Sequence, residues 1–260
     1  MRMILASLVF PAAMLAQLPA PNSMGVGMGH LHLNTKDPVA ARRFWVEFMG
    51  APATSKLGDN DIYKFPDVLV FVRKSDKLGT SEGSAVNHLG FKVKSLEAYL
   101  AKANSMGIPI VKRLPETRQA FVMNPDEVKV ELSEDASMSG TVAHHHIHFF
   151  NPAYMETRAW YAKTFGAIPG RRGKFDAADL PGVNLTFSVS EQPVVPTKGR
   201  AMDHIGFEVK NLEAFVKKME AAGVKFDVPY RHVPKLGLSI AFFVDPWGTY
   251  VELTEGLSKF

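Results

Sequence analysis

Six residues of ligand type stand at repeated places in the chain. His30, His88, His146 and His204 each sit at or near the start of a short alternating run, in HLHLN, NHLGFKV, HHIHFF and DHIGFEV. Glu131 and Glu252 each sit late in an alternating run, in NPDEVKVEL and DPWGTYVEL. His30 and His146 are 116 positions apart, as are His88 and His204, and the two glutamates are 121 apart. Imidazole and carboxylate suit a first-row divalent metal, and two histidines plus one carboxylate leave coordination positions open for substrate or oxygen. Each half of the chain carries one set: His30, His88 and Glu131, then His146, His204 and Glu252. Packed or surface polar residues at duplicated positions are the plainer explanation. Six matches in two copies favour metal.

Other histidines surround these. His32 and His148 lie two positions after a ligand candidate, which on a strand places them on the same face. They are candidates for extra ligands, for hydrogen-bond donors to ligands, or for an acid/base group. Gly90 and Gly206 occupy the matching places in the other two runs and are expected to leave room opposite these two rings. By alternation His144 points inward with the ligands and His145 away. His232, beside Tyr230 and Arg231, is a second acid/base candidate together with His148; an ordinary loop position is the competing reading.

The elements that must hold these residues repeat as well. From each first-strand histidine to the next helix-ending glycine (Gly50, Gly107, Gly166, Gly223) the spacing is 20, 19, 20 and 19 residues. That predicts four modules in two pairs, from a duplicated unit duplicated again. In each, a strand carrying the histidine precedes a helix. Asp37, Ser95 and Asn211 are the expected N-caps, and Pro38 is at the first helical position. Leu212, Phe215, Val216 and Met219 mark one buried helix face. Runs such as DVLVFVRK, QAFVM, VNLTFSVS and SIAFFV read as strands. The fold class is therefore α+β, with four βαβββ modules. The expected organisation is a leader at 1–20, a flexible linker at 21–28, a first two-module domain at 29–137 and a second at 143–256.

Composition narrows the function. The chain has 260 residues and no cysteine, which excludes disulfides, thiolate catalysis and cysteine-ligated metals. Its 30 Lys+Arg against 26 Asp+Glu give a net charge of +4 with no dense basic run, which gives nucleic-acid binding no support. Residues 1–20 carry Arg2, an apolar stretch from Ile4 to Ala16 and small residues after it. This is the pattern of a secretory signal cleaved after Ala16 or Ala20. The expected mature protein is exported, periplasmic or secreted, with no membrane span. Its expected partner is a small-molecule substrate; a homo-oligomer is left open.

The modules resemble the vicinal oxygen chelate superfamily, which includes glyoxalase I, extradiol dioxygenases and bleomycin- and fosfomycin-resistance proteins. The resemblance rests on His30 seven residues before Asp37, on Phe44-Trp45 and Trp160-Tyr161, on DHIGF at 203–207 and on DPWGTYVEL at 245–253, and it covers nearly all of residues 25–255. It implies paired modules curled into open, incomplete barrels around a metal held by the first-strand histidines and last-strand glutamates. In this family modules pair within a half or across halves. Across halves, His30 joins His204 and Glu252, while His146 joins His88 and Glu131. The resemblance implies a metal that two neighbouring substrate oxygens chelate. Glyoxalase I-like isomerases take a carboxylate from both modules, but VLVFVRK and VNLTFSVS contain none. Two histidines and one glutamate match the dioxygenases instead, with iron(II) or manganese(II) expected and zinc or nickel as further candidates. Those enzymes carry a tyrosine where this chain has Phe242, with Phe121 in the first half, and His232 lies slightly farther upstream than their pattern. A metal-dependent isomerase or lyase and a metal-free small-molecule-binding protein are the alternatives.

Overall fold

A computed structural model describes residues 18–76 and 79–260. The signal-peptide reading falls almost wholly on residues 1–17, outside the described residues. Among the described residues no helix is long and apolar enough to cross a membrane.

Four βαβββ modules follow one another. The first runs β1 (Val26–Thr35), α1 (Pro38–Arg42) continuing as a π-helical turn (Arg43–Phe48), β2 (Ala53–Leu57), β3 (Asn60–Phe65) and β4 (Val68–Lys74). The second has β5 (Val86–Val93), α2 (Leu96–Met106), β6 (Ile110–Leu114), β7 (Gln119–Met123) and β8 (Lys129–Glu134). The third has β9 (Val142–Phe150), α3 (Tyr154–Phe165), β10 (Ile168–Arg172), β11 (Phe175–Leu180) and β12 (Val183–Ser188). The fourth has β13 (Met202–Val209), α4 (Leu212–Ala221), β14 (Phe226–Val233), β15 (Leu238–Val244) and β16 (Tyr250–Glu255). β1 begins inside the stretch 21–28 expected to be a flexible linker. Asn22 ties that stretch down: its side chain donates to the Phe165 carbonyl at 2.9 Å and accepts from the Met24 and Val26 amides.

The modules form two eight-stranded sheets, ordered β14-β15-β16-β13-β1-β4-β3-β2 and β10-β11-β12-β9-β5-β8-β7-β6. Neither closes on itself. Each sheet takes one module from each half: the first joins modules one and four through antiparallel β1 and β13, the second joins modules two and three through β5 and β9. The packing of the helices follows the halves instead. Trp45 of module one meets Phe91 of module two at 5.9 Å, and Phe165 of module three meets Phe207 of module four at 4.9 Å. The sheets thus cross the expected division at 29–137 and 143–256, and one apolar cluster holds buried residues of all four modules.

Strand alternation separates two faces. On β5, Leu89, Phe91 and Val93 are buried in the core while His88 and Gly90 face the other way; on β13, Ile205, Phe207 and Val209 oppose His204 and Gly206. Helix starts differ from expectation at one place. Asp37 accepts from the Val39 and Ala40 amides and Ser95 from Ala98, as N-caps do. Asn211 makes no such bond: it adopts φ 61° (the left-handed region), and Glu255 of β16 accepts from the Asn211 and Leu212 amides instead. A carboxylate from the last strand does the same work at α2, where Glu134 accepts from Leu96.

Candidate metal centre

Two sites result, one in the middle of each sheet. In the second sheet β9 brings His146 opposite Gly90 of β5, and β8 brings Glu131 alongside that glycine. His88 Nε2 lies 3.1 Å from Glu131 Oε2, His146 Nε2 lies 3.5 Å from the same oxygen, and the two nitrogens are 3.4 Å apart. In the first sheet Glu252 Oε2 lies 2.9 Å from His30 Nε2 and 3.0 Å from His204 Nε2. The histidine rings of each pair are nearly perpendicular, at 87° and 89°. The trios that meet are thus those of the cross-half arrangement: His88, His146 and Glu131, and His30, His204 and Glu252.

The glycines clear space for the ligand rings themselves, not for His32 and His148. A Cβ on Gly90 would stand 2.0 Å from His146 Cε1, and one on Gly206 would stand 2.0 Å from His30 Cε1. His32 instead stacks on His204, with centroids 4.3 Å apart, and His148 packs edge-on to His88 at 4.6 Å. His148 Nδ1 lies 3.2 Å from His88 Nε2, and its Nε2 is 2.8 Å from Ser188 Oγ. His88, Glu131, His146 and His148 form one group of close ligand atoms; His30, His32 and His204 form another.

The expected directions of His144 and His145 are reversed. A bulge in the β5–β9 ladder passes from the Gly90–His146 pair to the Phe91–His144 pair, leaving His145 as the extra residue. Beyond it the faces switch. His144 is buried against Phe91 and 3.1 Å from the Gly182 carbonyl, and burial lowers its pKa to about 3. His145 lines the cleft beside His146. His232 is exposed on β14 and hydrogen-bonds Ser239 at 3.2 Å, not a member of either trio.

The donor chemistry fits a cation. His204 Nδ1–H donates to Asp203 Oδ1 at 2.5 Å, and His88 Nδ1–H donates to Asn87 Oδ1 at 2.8 Å. A neutral ring held in that tautomer turns the Nε2 lone pair toward the glutamate oxygen. Two acceptors facing each other at about 3 Å need a proton or a metal between them. Ligand atoms about 2.1 Å from an ion and about 90–110° apart lie about 3.0–3.4 Å from one another, close to the distances found. Titration agrees. Burial raises a carboxyl, but His146 and His88 outweigh it and hold Glu131 far below its ordinary value. His30 and His204 likewise overcome burial to hold Glu252 at about 2. Burial lowers His88, His30, His146 and His148, whereas Asp203 and Glu252 outweigh burial and raise His204.

A cleft of about 1040 Å³ opens on the second-sheet site, with His88, Glu131, His145, His148, Arg172 and Phe175 among its lining residues. Glu131 Oε1, turned away from the histidines, accepts from Gln119 at 2.6 Å and Ser133 at 2.8 Å and lies 3.3 Å from Arg172 Nη1. The sequence carried a signal for Asp203 and Asn87, which directly precede repeated histidines. It carried none for Arg172 or Gln119, whose types do not recur in the duplicate.

The profile of the Glyoxalase/Bleomycin resistance protein/Dioxygenase superfamily matches residues 120–253. The chain belongs to that superfamily. Solved structures share the fold. Glyoxalase I from Zea mays superposes with a TM-score of 0.72 at 17% identity, over 90% of this chain and 94% of that one. A protein described as a putative dioxygenase from Bacillus subtilis gives 0.66 at 13% identity, over 92% and 86%. The cppA protein from Streptococcus pneumoniae gives 0.52 at 11% identity, over 93% and 100%. No curated protein matches the chain in sequence. At these identities the likeness to these structures concerns the fold.

Proposed function

We propose that the chain is a divalent-metal-dependent enzyme acting on a small substrate with neighbouring oxygens, its leading activity an iron(II)- or manganese(II)-dependent, dioxygenase-like reaction. We further propose that it is exported, on the strength of its N-terminal segment. The convergence of two imidazole nitrogens and one carboxylate oxygen within about 3.5 Å in the His88–His146–Glu131 site carries the reading. Such a metal would polarise chelated oxygens and offer a place for dioxygen. The chain's own residues do the rest. Asn87 and Asp203 fix the tautomers of His88 and His204. Gln119 and Ser133 hold the far oxygen of Glu131, leaving the near one for the ion. His148, bonded to Ser188 and lining the cleft, would take or return a proton of the substrate. Metal analysis of protein purified anaerobically without affinity metal, followed by oxygen uptake with catechol-like substrates, tests the proposal. Two tightly held ions per chain with substrate-dependent oxygen uptake are expected. A chain that neither holds nor takes up metal would leave the metal-free binding reading.

One observation favours a non-redox isomerase or lyase as the second reading. Phe121 and Phe242 pack edge-on to His88 and His204, at 5.1 and 5.3 Å, where the dioxygenase pattern has a tyrosine. A phenylalanine has no proton to give. Turnover at the same rate with and without oxygen would select this reading.

A further inference from the structure

The two sites are copies at their centres and opposites at their margins. Equivalent ladder positions can be compared directly. Gln119, paired with Ser133 next to Glu131, has Ile240 as its counterpart, paired with Thr254 next to Glu252. Thr186, beside His148, is matched by Phe71, beside His32. Arg172, in the last pair of the β10–β11 hairpin, is matched by Leu57 in the last pair of β2–β3. Around His30 and Glu252 the margin is therefore apolar. Phe71 stacks on His30 at 4.7 Å and belongs to a cluster with Leu57, Leu238 and Leu257, against which Ile240 and Phe260 pack. The segment Leu257–Phe260 thus packs over that margin.

Around His88 and Glu131 the margin is polar and cationic. Arg172 donates Nε–H to Thr186 Oγ1 at 2.9 Å and lies with Nη1 3.3 Å from Glu131, so its guanidinium is fixed beside the site. Its Nη2 is buried and has no hydrogen-bond partner among the described residues. A buried charged N–H without an acceptor is costly, and a guanidinium fork is matched to a carboxylate. Three of the acidic side chains lining the cleft already have cations: Glu82 pairs with Lys129, Glu134 with Arg118 and Asp135 with Lys92. Phe121, Phe150 and Phe175 supply flat apolar wall, and the Arg172 guanidinium lies 5.4 Å from the Phe175 ring centroid.

We propose that the substrate of the His88–His146–Glu131 site is a small carboxylic acid with a flat apolar body, its carboxylate held by Arg172, and that the Leu57 site does not select for that group. This rests on the metal-dependent reading above. The test uses the full chain loaded anaerobically with cobalt(II), titrated separately with catechol and with 3,4-dihydroxybenzoate. Both probes offer the same vicinal oxygens, and they differ by one carboxylate. Chelation is read from the cobalt absorption bands, and metal content is measured on the same samples. The wild-type protein is expected to bind the carboxylated probe about tenfold or more tightly than catechol, the scale of one charge-assisted hydrogen bond. Arg172→Leu, which installs the side chain of the duplicate site, should bind the two equally, and Arg172→Lys should keep part of the preference. Equal binding by the wild-type protein overturns the proposal, as does a preference that survives Arg172→Leu. If Arg172→Leu does not fold, Arg172→Gln supplies the same comparison. Failure of the wild-type chain to hold cobalt would defeat the metal reading itself; cobalt held and catechol bound with no carboxylate preference defeats only the role of Arg172.

Discussion

Adding one methyl group to Gly90 isolates the ligand geometry from the backbone. Gly90 does not have a positive φ, so alanine there carries no conformational penalty. Its Cβ would stand 2.0 Å from His146 Cε1 and Nδ1, whereas ordinary contacts begin near 3.4 Å. The ring must retreat by about 1.4 Å, several times the tolerance of about 0.2 Å on a metal–ligand distance. The retreat also strains a packed interior, at about 1–3 kcal/mol. For a chain of this size that corresponds to a fall of about 2–12 °C in Tm. Gly90→Ala should therefore lose the ion of the second-sheet site and keep the other, and Gly206→Ala should do the reverse. Gly140→Ala is the control: no described residue outside its chain neighbours lies within 4 Å of its Cβ position and its φ is not positive. Metal content and thermal unfolding of the three variants are the assay. A Gly90→Ala protein with undiminished metal and an unshifted Tm would refute the reasoning.

Other outcomes follow from the same geometry. Glu131→Gln and Glu252→Gln should each remove one metal equivalent and the double variant both; full retention in the double variant contradicts the assignment. In the metal-free protein, burial holds His30, His32, His88, His146 and His148 below their ordinary values, so the unfolded chain takes up protons first as pH falls. Stability is then fully present above about pH 6.5 and is lost below it, by up to about 1.4 kcal/mol per group per pH unit, with raised His204 opposing in part. Denaturant midpoints at pH 7.5 and 5.5 measure this, and a midpoint that does not fall at pH 5.5 counts against it. Tyr161→Phe removes the hydroxyl that donates to buried Asp245 at 2.8 Å and should cost about 1–3 kcal/mol in unfolding experiments; an unchanged midpoint would show that the bond contributes nothing.

The four-module plan was legible because duplication writes the same spacing several times over, and a helix-ending glycine or a strand histidine is a local signal. Strand pairing was not. β1 meets β13 through contacts between residues some 175 positions apart, such as His32 and His204, and no local pattern encodes that choice over pairing with β5. The reversal of His144 and His145 has a similar origin. Simple alternation places a side chain correctly only while the ladder is regular, and the bulge at His145 depends on a partner strand. Asn211 misled because its type suits a cap, while the acceptor came from Glu255, 44 positions away. Arg172 escaped notice because duplication reveals what two copies share, and Arg172 is where they differ.

The crossing of the sheets over the two halves also sets an order of assembly. Modules two and three are neighbours in sequence, so their sheet can close as soon as β12 has been made. Modules one and four enclose them like an outer pair of brackets. β1, synthesised well before β13, occupies the middle of a sheet whose other side does not exist until β13 leaves the ribosome. Until then its Gly206-facing edge stays unpaired, and the loop that must close around the inner pair spans about two thirds of the chain, so its closure carries the larger entropy cost. The cleft-bearing sheet thus belongs to the part of the molecule that finishes early, and the sheet under the C-terminal segment completes the fold.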